Sequence, residues 1–130
     1  TWSRELEELR RREALAAQMG GADKVARQHG RGKMDARARL AALVDEGSFR
    51  EIGKIAGSAK YDVNGDLAHV TPAPFLFGKA LVGGRPVVAT ADDFTIRGGA
   101  ADAGIARKMV QAEMMAHQLK LPIIRMIDGT

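Results

Sequence analysis

The chain has 130 residues, 45% of them hydrophobic and 28% charged, a globular composition that suits one modest domain or a piece of a larger one. It has no cysteine, which removes disulfides and thiolate zinc sites, and no apolar run near the ~20 residues that a membrane helix needs. The formal charge of +4 favours an anionic partner, with nucleic acid and phosphorylated cofactors both eligible.

In chain order, Ser3 is placed to cap a first helix, with Glu5, Glu7 and Glu8 at its positive end and Arg10 to Arg12 further along. Leu6, Leu9 and Leu15 give that helix a thin apolar stripe, so it is expected to lie across a neighbour, and Gly20-Gly21 stops it. Lys24 to Arg39 is the basic centre: Lys24, Arg27, Arg31, Lys33, Arg37 and Arg39 against Asp35 alone. A charge run is by default a solvated face. Two glycines beside Arg31 and Lys33 also allow a phosphate clamp, because backbone and cations come together there. His29 reads as a structural donor, with no second ligand at metal spacing. Asp35 is expected to cap a helix from Ala36 to about Val44, and Asp45-Glu46-Gly47-Ser48 ends it.

Phe49 to Ile55 reads as an irregular strand and Gly57 to Pro74 as a surface loop. Phe75 to Val82 is β-prone, and Val82-Gly83-Gly84-Arg85 turns it into a strand over Pro86 to Ala91. The glycine turn Asp92 to Ala101 then leads into a helix over Asp102 to Leu119 and a strand over Pro122 to Ile127. Strand, helix, strand is a βαβ crossover with parallel strands. On the helix, Ile105, Met109, Ala112, Ala116 and Leu119 make one apolar line and Val110 and Met114 a second, which predicts burial on two sides. His117 suits the negative end of the helix.

No serine nucleophile elbow, His-Glu-x-x-His, Walker A or Gly-x-Gly-x-x-Gly pattern is present. Asp92 and Asp93 are adjacent and face opposite sides of an extended chain; one of them is expected to act as a cap or turn ligand. The clearest chemical resource is main-chain: amides at Gly98, Gly99, Ala100 and Ala101, where a glycine turn meets a helix start and can receive negative charge. Such donors stabilise an oxyanion by roughly 3–4 kcal/mol each.

Several stretches resemble the carboxyltransferase (β-type) subunit of biotin-dependent acyl-CoA carboxylases, of which propionyl-CoA carboxylase β is the type. Gln28-His29 with Gly32-Lys33-Met34-Asp35-Ala36-Arg37 is similar to that family's Q-H-x-x-G-K-L-T-A-R-E-R. Asp45 to Glu51 is similar to its D-x-G-S-F-x-E, Gly84 to Val87 to its G-R-x-V, and Asp93 to Gly99 to its D-F-T-V-x-G-G. Ile127-Asp128-Gly129-Thr130 falls where the family has a strand ending in D-S-G-G. The chain departs from the family at Ala100 to Gly104, where G-S-L-G-E is usual, and keeps G-D-G-V-V-T-G poorly between Asn64 and Phe77.

The resemblance implies an α/β, crotonase-like fold of stacked ββα units. It divides the chain into an N-terminal helical basic segment, residues 1–48, and the start of a carboxyltransferase N-domain, residues 49–130. It implies transfer of a carboxyl group from carboxybiotin to the α-carbon of an acyl-CoA, through an enolate held by backbone amides. Gly98, Gly99, Ala100 and Ala101 become the candidates for the first amide donor, with the second expected just beyond Thr130. Arg31, Lys33, Arg37 and Arg39 become candidates for the CoA phosphates. The implied partners are a biotin carboxylase and biotin carboxyl carrier subunit, a C-terminal carboxyltransferase domain, and copies of the chain in a hexamer. No metal, nucleic acid or membrane is implied, and the family is bacterial cytoplasmic or mitochondrial.

Because the chain opens on Thr1 and stops after a buried-type strand, it is expected to be the front of a longer protein. Acyl-CoA decarboxylases of the same architecture, running the transfer backwards, fit the same residues. Two other classes stay open: a basic RNA-binding module, which interleaves aromatics with its cations, whereas Trp2, Tyr61 and the Phe residues are expected to lie away from the basic cluster here, and an inactive scaffold subunit.

Overall fold

The computed structural model describes residues 1–100 and 106–129. Its centre is a four-stranded sheet in the order β1 (Arg50–Ile52), β4 (Phe75–Val82), β5 (Arg85–Asp92), β6 (Ile123–Met126). The Gly83-Gly84 turn closes the β4–β5 hairpin in antiparallel register, from Val82 opposite Arg85 to Phe75 opposite Asp92. The sheet then becomes parallel: Val88 pairs with Ile123 and Ala91 with Met126, joined by the crossover helix α4 (Ala106–Leu119). Residues Asp102 to Ile105, expected to begin that helix, lie outside the described residues, as do Ala101 and Thr130.

β5 is buried on both faces, as a strand between two layers must be. On one face Ala36 and Leu40 of α3 (Ala36–Leu43) pack with Leu76, Ala80, Val87, Ala89 and Ala91. On the other, Ala112 and Ala116 of α4 pack with Phe75, Phe77 and Val88. The core therefore crosses residue 48, because α3 covers the sheet that follows it. Asp35 caps α3 as expected, its Oδ1 accepting the Ala38 amide at 2.8 Å.

The first part of the basic centre lies on a helix, α2 (Ala22–Gly30), entered through Gly21 at φ 98°. Three expectations are corrected. Ser3 is already inside α1 (Ser3–Ala17); Trp2 takes the cap position and no side chain caps the helix. Gly57 to Pro74 is a hairpin rather than a loop: β2 (Gly57–Tyr61) pairs with β3 (Leu67–Pro72), and the Asp62 carboxylate accepts the amides of Asn64 and Asp66 in the turn. Leu67 and Val70 are buried there against Ala16 of α1. Finally, α4 is buried in this chain along Ala112 and Ala116 only; Val110, Met114 and Leu119 are about half exposed, at 53%, 47% and 47%.

Candidate functional site

The parallel pair β5 and β6 ends at Asp92 and Met126, and beyond both ends the chain turns back on the same spot. After β5, Asp93 is buried and accepts the Thr95 amide at 3.0 Å together with the Thr95 hydroxyl, so it is the turn ligand of the adjacent pair. Burial pushes its carboxyl above the usual carboxylate range, outweighing those two hydrogen bonds. Arg97, Gly98 and Gly99 follow as a tight turn with φ of 50°, 63° and 78°, the left-handed region that glycine alone enters at no cost. Gly99 has a second reason to be glycine: a Cβ there would lie 2.7 Å from the Asp128 carbonyl oxygen and 3.2 Å from the Gly129 Cα. The two strand-end turns are thus in direct backbone contact.

The four amides singled out from the sequence do not share one fate. Those of Gly99 and Ala100 are spent inside the turn, donating to Ile96 and Arg97 carbonyls at 2.9 and 3.2 Å. The Gly98 amide donates to no atom among the described residues. Ala101 lies outside the described residues.

The basic centre divides in the same way. Arg37 forms a two-pronged pair with Glu51, both contacts at 3.0 Å, and Glu51 is nearly buried. Arg39 Nη1 lies 3.6 Å from Asp128 Oδ2, and Lys33 Nζ lies 3.7 Å from Asp128 Oδ1. Gln28 Nε2 adds a contact to Asp128 Oδ2 at 3.4 Å. Arg37 and Arg39 thus each face a carboxylate of this chain. Lys33 is shared between Asp128 and the face of Phe94, 5.5 Å below it, so one aromatic ring does sit among the cations, contrary to expectation. Arg31 is exposed. With Lys24, Arg27, Gln28, Phe94 and the Gly98 turn it lines a cavity of about 220 Å³. Lys24 and Arg27, spaced on one face of α2, were not separable in the sequence from the rest of the charge run. Among the described residues none of Lys24, Arg27 and Arg31 has an ion-pair partner.

His29 Nε2 lies 2.8 Å from Asp35 Oδ2. Burial raises the Asp35 carboxyl, but the Ala38 amide and His29 outweigh it and hold the group below its ordinary value. His29 is thus a structural donor, and its acidic partner six residues on was missed. Among the described residues no three His, Cys, Asp or Glu side chains form a metal-binding group. A larger, mostly apolar cavity of about 650 Å³ lies between α4 and the β2–β3 hairpin. Size alone does not make it the site; the smaller cavity is the one holding both an unspent turn amide and unpaired cations.

Residues 27–130 match the carboxyl transferase domain family. The chain belongs to that family. Among relatives of this carboxyl transferase chain, the methylmalonyl-CoA decarboxylase alpha subunit of Propionigenium modestum is 32% identical over 127 residues, 98% of this chain and 25% of the relative. The propionyl-CoA carboxylase beta chain of Roseobacter denitrificans is 34% identical over 124 residues, 95% of this chain and 24% of the relative. The crystal structure of the transcarboxylase 12S hexamer with methylmalonyl-coenzyme A bound superposes with a TM-score of 0.83 at 31% identity, over 99% of this chain and 25% of that one. The fold is the crotonase-like α/β fold of carboxyltransferase domains. The chain spans about a quarter of the length of these relatives.

Proposed function

We propose that this carboxyl transferase chain carries the acyl-CoA half of a biotin-dependent carboxyl transfer. The observation that carries the reading is the Gly98 amide, unspent at the wall of a cavity whose other side is Lys24, Arg27 and Arg31. An acyl-CoA has two anionic demands, one permanent and one transient. Its nucleotide phosphates need cations, for which Arg31, with Lys24 and Arg27, is the set still available. Its thioester oxygen gains charge only while the α-carbon is a carbanion, between loss of a proton and gain of the carboxyl group. A fixed amide dipole aimed at that oxygen favours the transition state over the ground state. Gly98 is the donor among the described residues, and Ala101 keeps its candidacy.

Carboxybiotin supplies the carboxyl group at N1, delivered by a biotin carrier partner; no residue of this chain is assigned to it. Carboxybiotin releases CO2 locally, the liberated biotin N1 takes the α-proton, and the enolate carbon then bonds to that CO2, so the chain needs backbone donors and excluded water more than a His or Cys base. The hexamer and the biotin carboxylase partner follow from the same reading, in the bacterial cytoplasm or mitochondrial matrix. A second reading has a specific support: two relatives, in Propionigenium modestum and Veillonella parvula, are methylmalonyl-CoA decarboxylase subunits, at 32% and 33% identity. The same amide would then stabilise the enolate as the carboxyl group leaves.

The test is acyl-CoA-dependent turnover by the full-length protein. Free carboxybiotin is offered with propionyl-CoA, and free biotin with methylmalonyl-CoA. Turnover in the first arm supports the carboxylase direction, and in the second the decarboxylase. Turnover in neither, with any acyl-CoA, overturns the reading. Arg31→Gln is expected to raise KM for the CoA thioester while leaving KM for the matching pantetheine thioester, which lacks the nucleotide, unchanged.

A further inference from the structure

We propose that Asp128 is a positioning residue that clamps the end of β6 onto the Gly98–Gly99 turn, with Lys33 and Arg39 as the cations that hold the clamp shut. This rests on the reading of Gly98 as an oxyanion donor. Asp128 meets five other segments of the chain within one residue's span. Its amide donates to Asp92 Oδ2 at 3.0 Å, tying the ends of the two parallel strands together. Its carbonyl oxygen lies under Gly99 so closely that no side chain fits between them. Its carboxylate faces Gln28 from α2, Lys33 from the following turn and Arg39 from α3.

The charges make the arrangement more than packing. Asp92 and Asp128 bring two carboxylates to neighbouring strand ends, which by themselves would push apart. Lys33 and Arg39 supply two compensating charges at 3.7 and 3.6 Å. Arg39 Nη1 is buried and makes no hydrogen bond, so its interaction with Asp128 is one of charge and distance. Removing the Asp128 charge would leave that guanidinium with no ion-pair partner among the described residues. The turn that carries Gly98 would then lose the floor on which Gly99 rests. The reaction depends on where an amide points, and a displacement of about 1 Å costs on the order of 100-fold in rate.

The clamp also separates the cations into two sets. Lys33 and Arg39 face inward to Asp128, and Lys24, Arg27 and Arg31 face the cavity. A phosphate contact and a clamp residue therefore predict different kinetics. Loss of a phosphate contact raises KM; loss of the clamp lowers kcat at unchanged KM.

The experiment is steady-state acyl-CoA-dependent turnover of the full-length protein, with propionyl-CoA or methylmalonyl-CoA, whichever the wild type uses, for Asp128→Asn, Lys33→Gln and the double variant. Asp128→Asn keeps the shape and loses the charge; it is expected to lower kcat by about 10- to 100-fold with little change in KM. Lys33→Gln, a half-exposed side chain whose loss leaves the core intact, is expected to lower kcat by roughly 3- to 10-fold. The double variant should be no slower than Asp128→Asn, since both act on one contact. If Asp128→Asn does not fold, Lys33→Gln decides through its own kcat and KM. A rise in KM at wild-type kcat for Lys33→Gln, or wild-type kcat in folded Asp128→Asn, overturns the clamp while leaving the functional reading in place. A wild type with no acyl-CoA-dependent turnover overturns the functional reading and the clamp with it.

Discussion

The backbone amide of Gly20 donates to the Thr95 hydroxyl over 3.0 Å, and that hydroxyl donates in turn to buried Asp93. The junction between α1 and α2 is thereby fastened to the turn that leads into Gly98. A Cβ at Gly20 would lie 2.1 Å from the Thr95 carbonyl oxygen, so the backbone there has no room for any side chain. Gly20→Ala is expected to destabilise the protein by at least about 1–3 kcal/mol, the cost of overpacking a closed site. Urea unfolding of the full-length protein measures it. A variant as stable as the wild type would show that this junction moves freely.

Arg37 and Glu51 tie α3 to β1 through two parallel contacts of 3.0 Å, in a site where Glu51 is nearly buried and Arg37 about a third exposed. Arg37→Lys keeps the charge and loses the fork. It is expected to cost about 1–2 kcal/mol, after allowing for the exposed side of the guanidinium. KM for the acyl-CoA should not change, because the guanidinium is already spent on Glu51. A raised KM at unchanged stability would return Arg37 to the phosphate site.

The sheet was legible in the sequence where local chemistry decided it. Gly83-Gly84 between two β-prone runs closes the β4–β5 hairpin, and Asp35 caps α3, because both signals act over a few residues. The β2–β3 hairpin was not, since a register shift at Lys60 and Tyr61 interrupts the pairing and only Leu67, Val70 and Pro72 of β3 are buried, at uneven spacing. The same limit governs the site. The glycine turn was found as a motif, but whether an amide within it is free depends on a 2.9 Å bond from Gly99 to Ile96. A run of cations does not say which of them meet a carboxylate: Arg37 finds Glu51 on β1, and Arg39 finds Asp128 at the far end of the chain.

Asp93 gives an acid-side prediction. Burial raises its pKa, with Asp35 nearby adding to the rise, while Thr95 and Arg37 oppose it. The folded protein therefore binds a proton at this group more tightly than the unfolded chain, whose value is 3.8. The stability gained from that proton is fully present below 3.8 and is lost as pH rises through the folded pKa. Asp93→Asn keeps an oxygen to accept from Thr95 and cannot titrate. The stability of the wild type minus that of Asp93→Asn should thus fall as pH rises from about 3 to 7. Urea unfolding of both proteins at several pH values reads the slope, and a rising difference contradicts the raised pKa.

Lys108 gives the complementary prediction on the alkaline side. It stands on α4 in the wall of the larger cavity, beside Gly53. Desolvation lowers its pKa from 10.5 to about 8; Glu51 pulls it up and Arg37 pushes it further down. Between about 8 and 10.5 the unfolded chain holds a proton that the folded protein has released, so stability from this group rises with pH across that window. Below about 8 the cost of burying the ammonium is present in full. Lys108→Met removes that cost while filling a similar volume, so it should be more stable than the wild type at pH 7. The advantage should shrink as pH climbs toward 10.5, because the wild-type lysine becomes neutral and its penalty disappears. Glu51→Gln removes the charge that favours the ammonium, which moves the start of the window to lower pH. Comparing wild type with Lys108→Met cancels the lysines and the tyrosine that titrate in both proteins. A difference that stays constant from pH 7 to 10.5 would mean that water reaches Lys108 through the cavity and keeps its ammonium solvated.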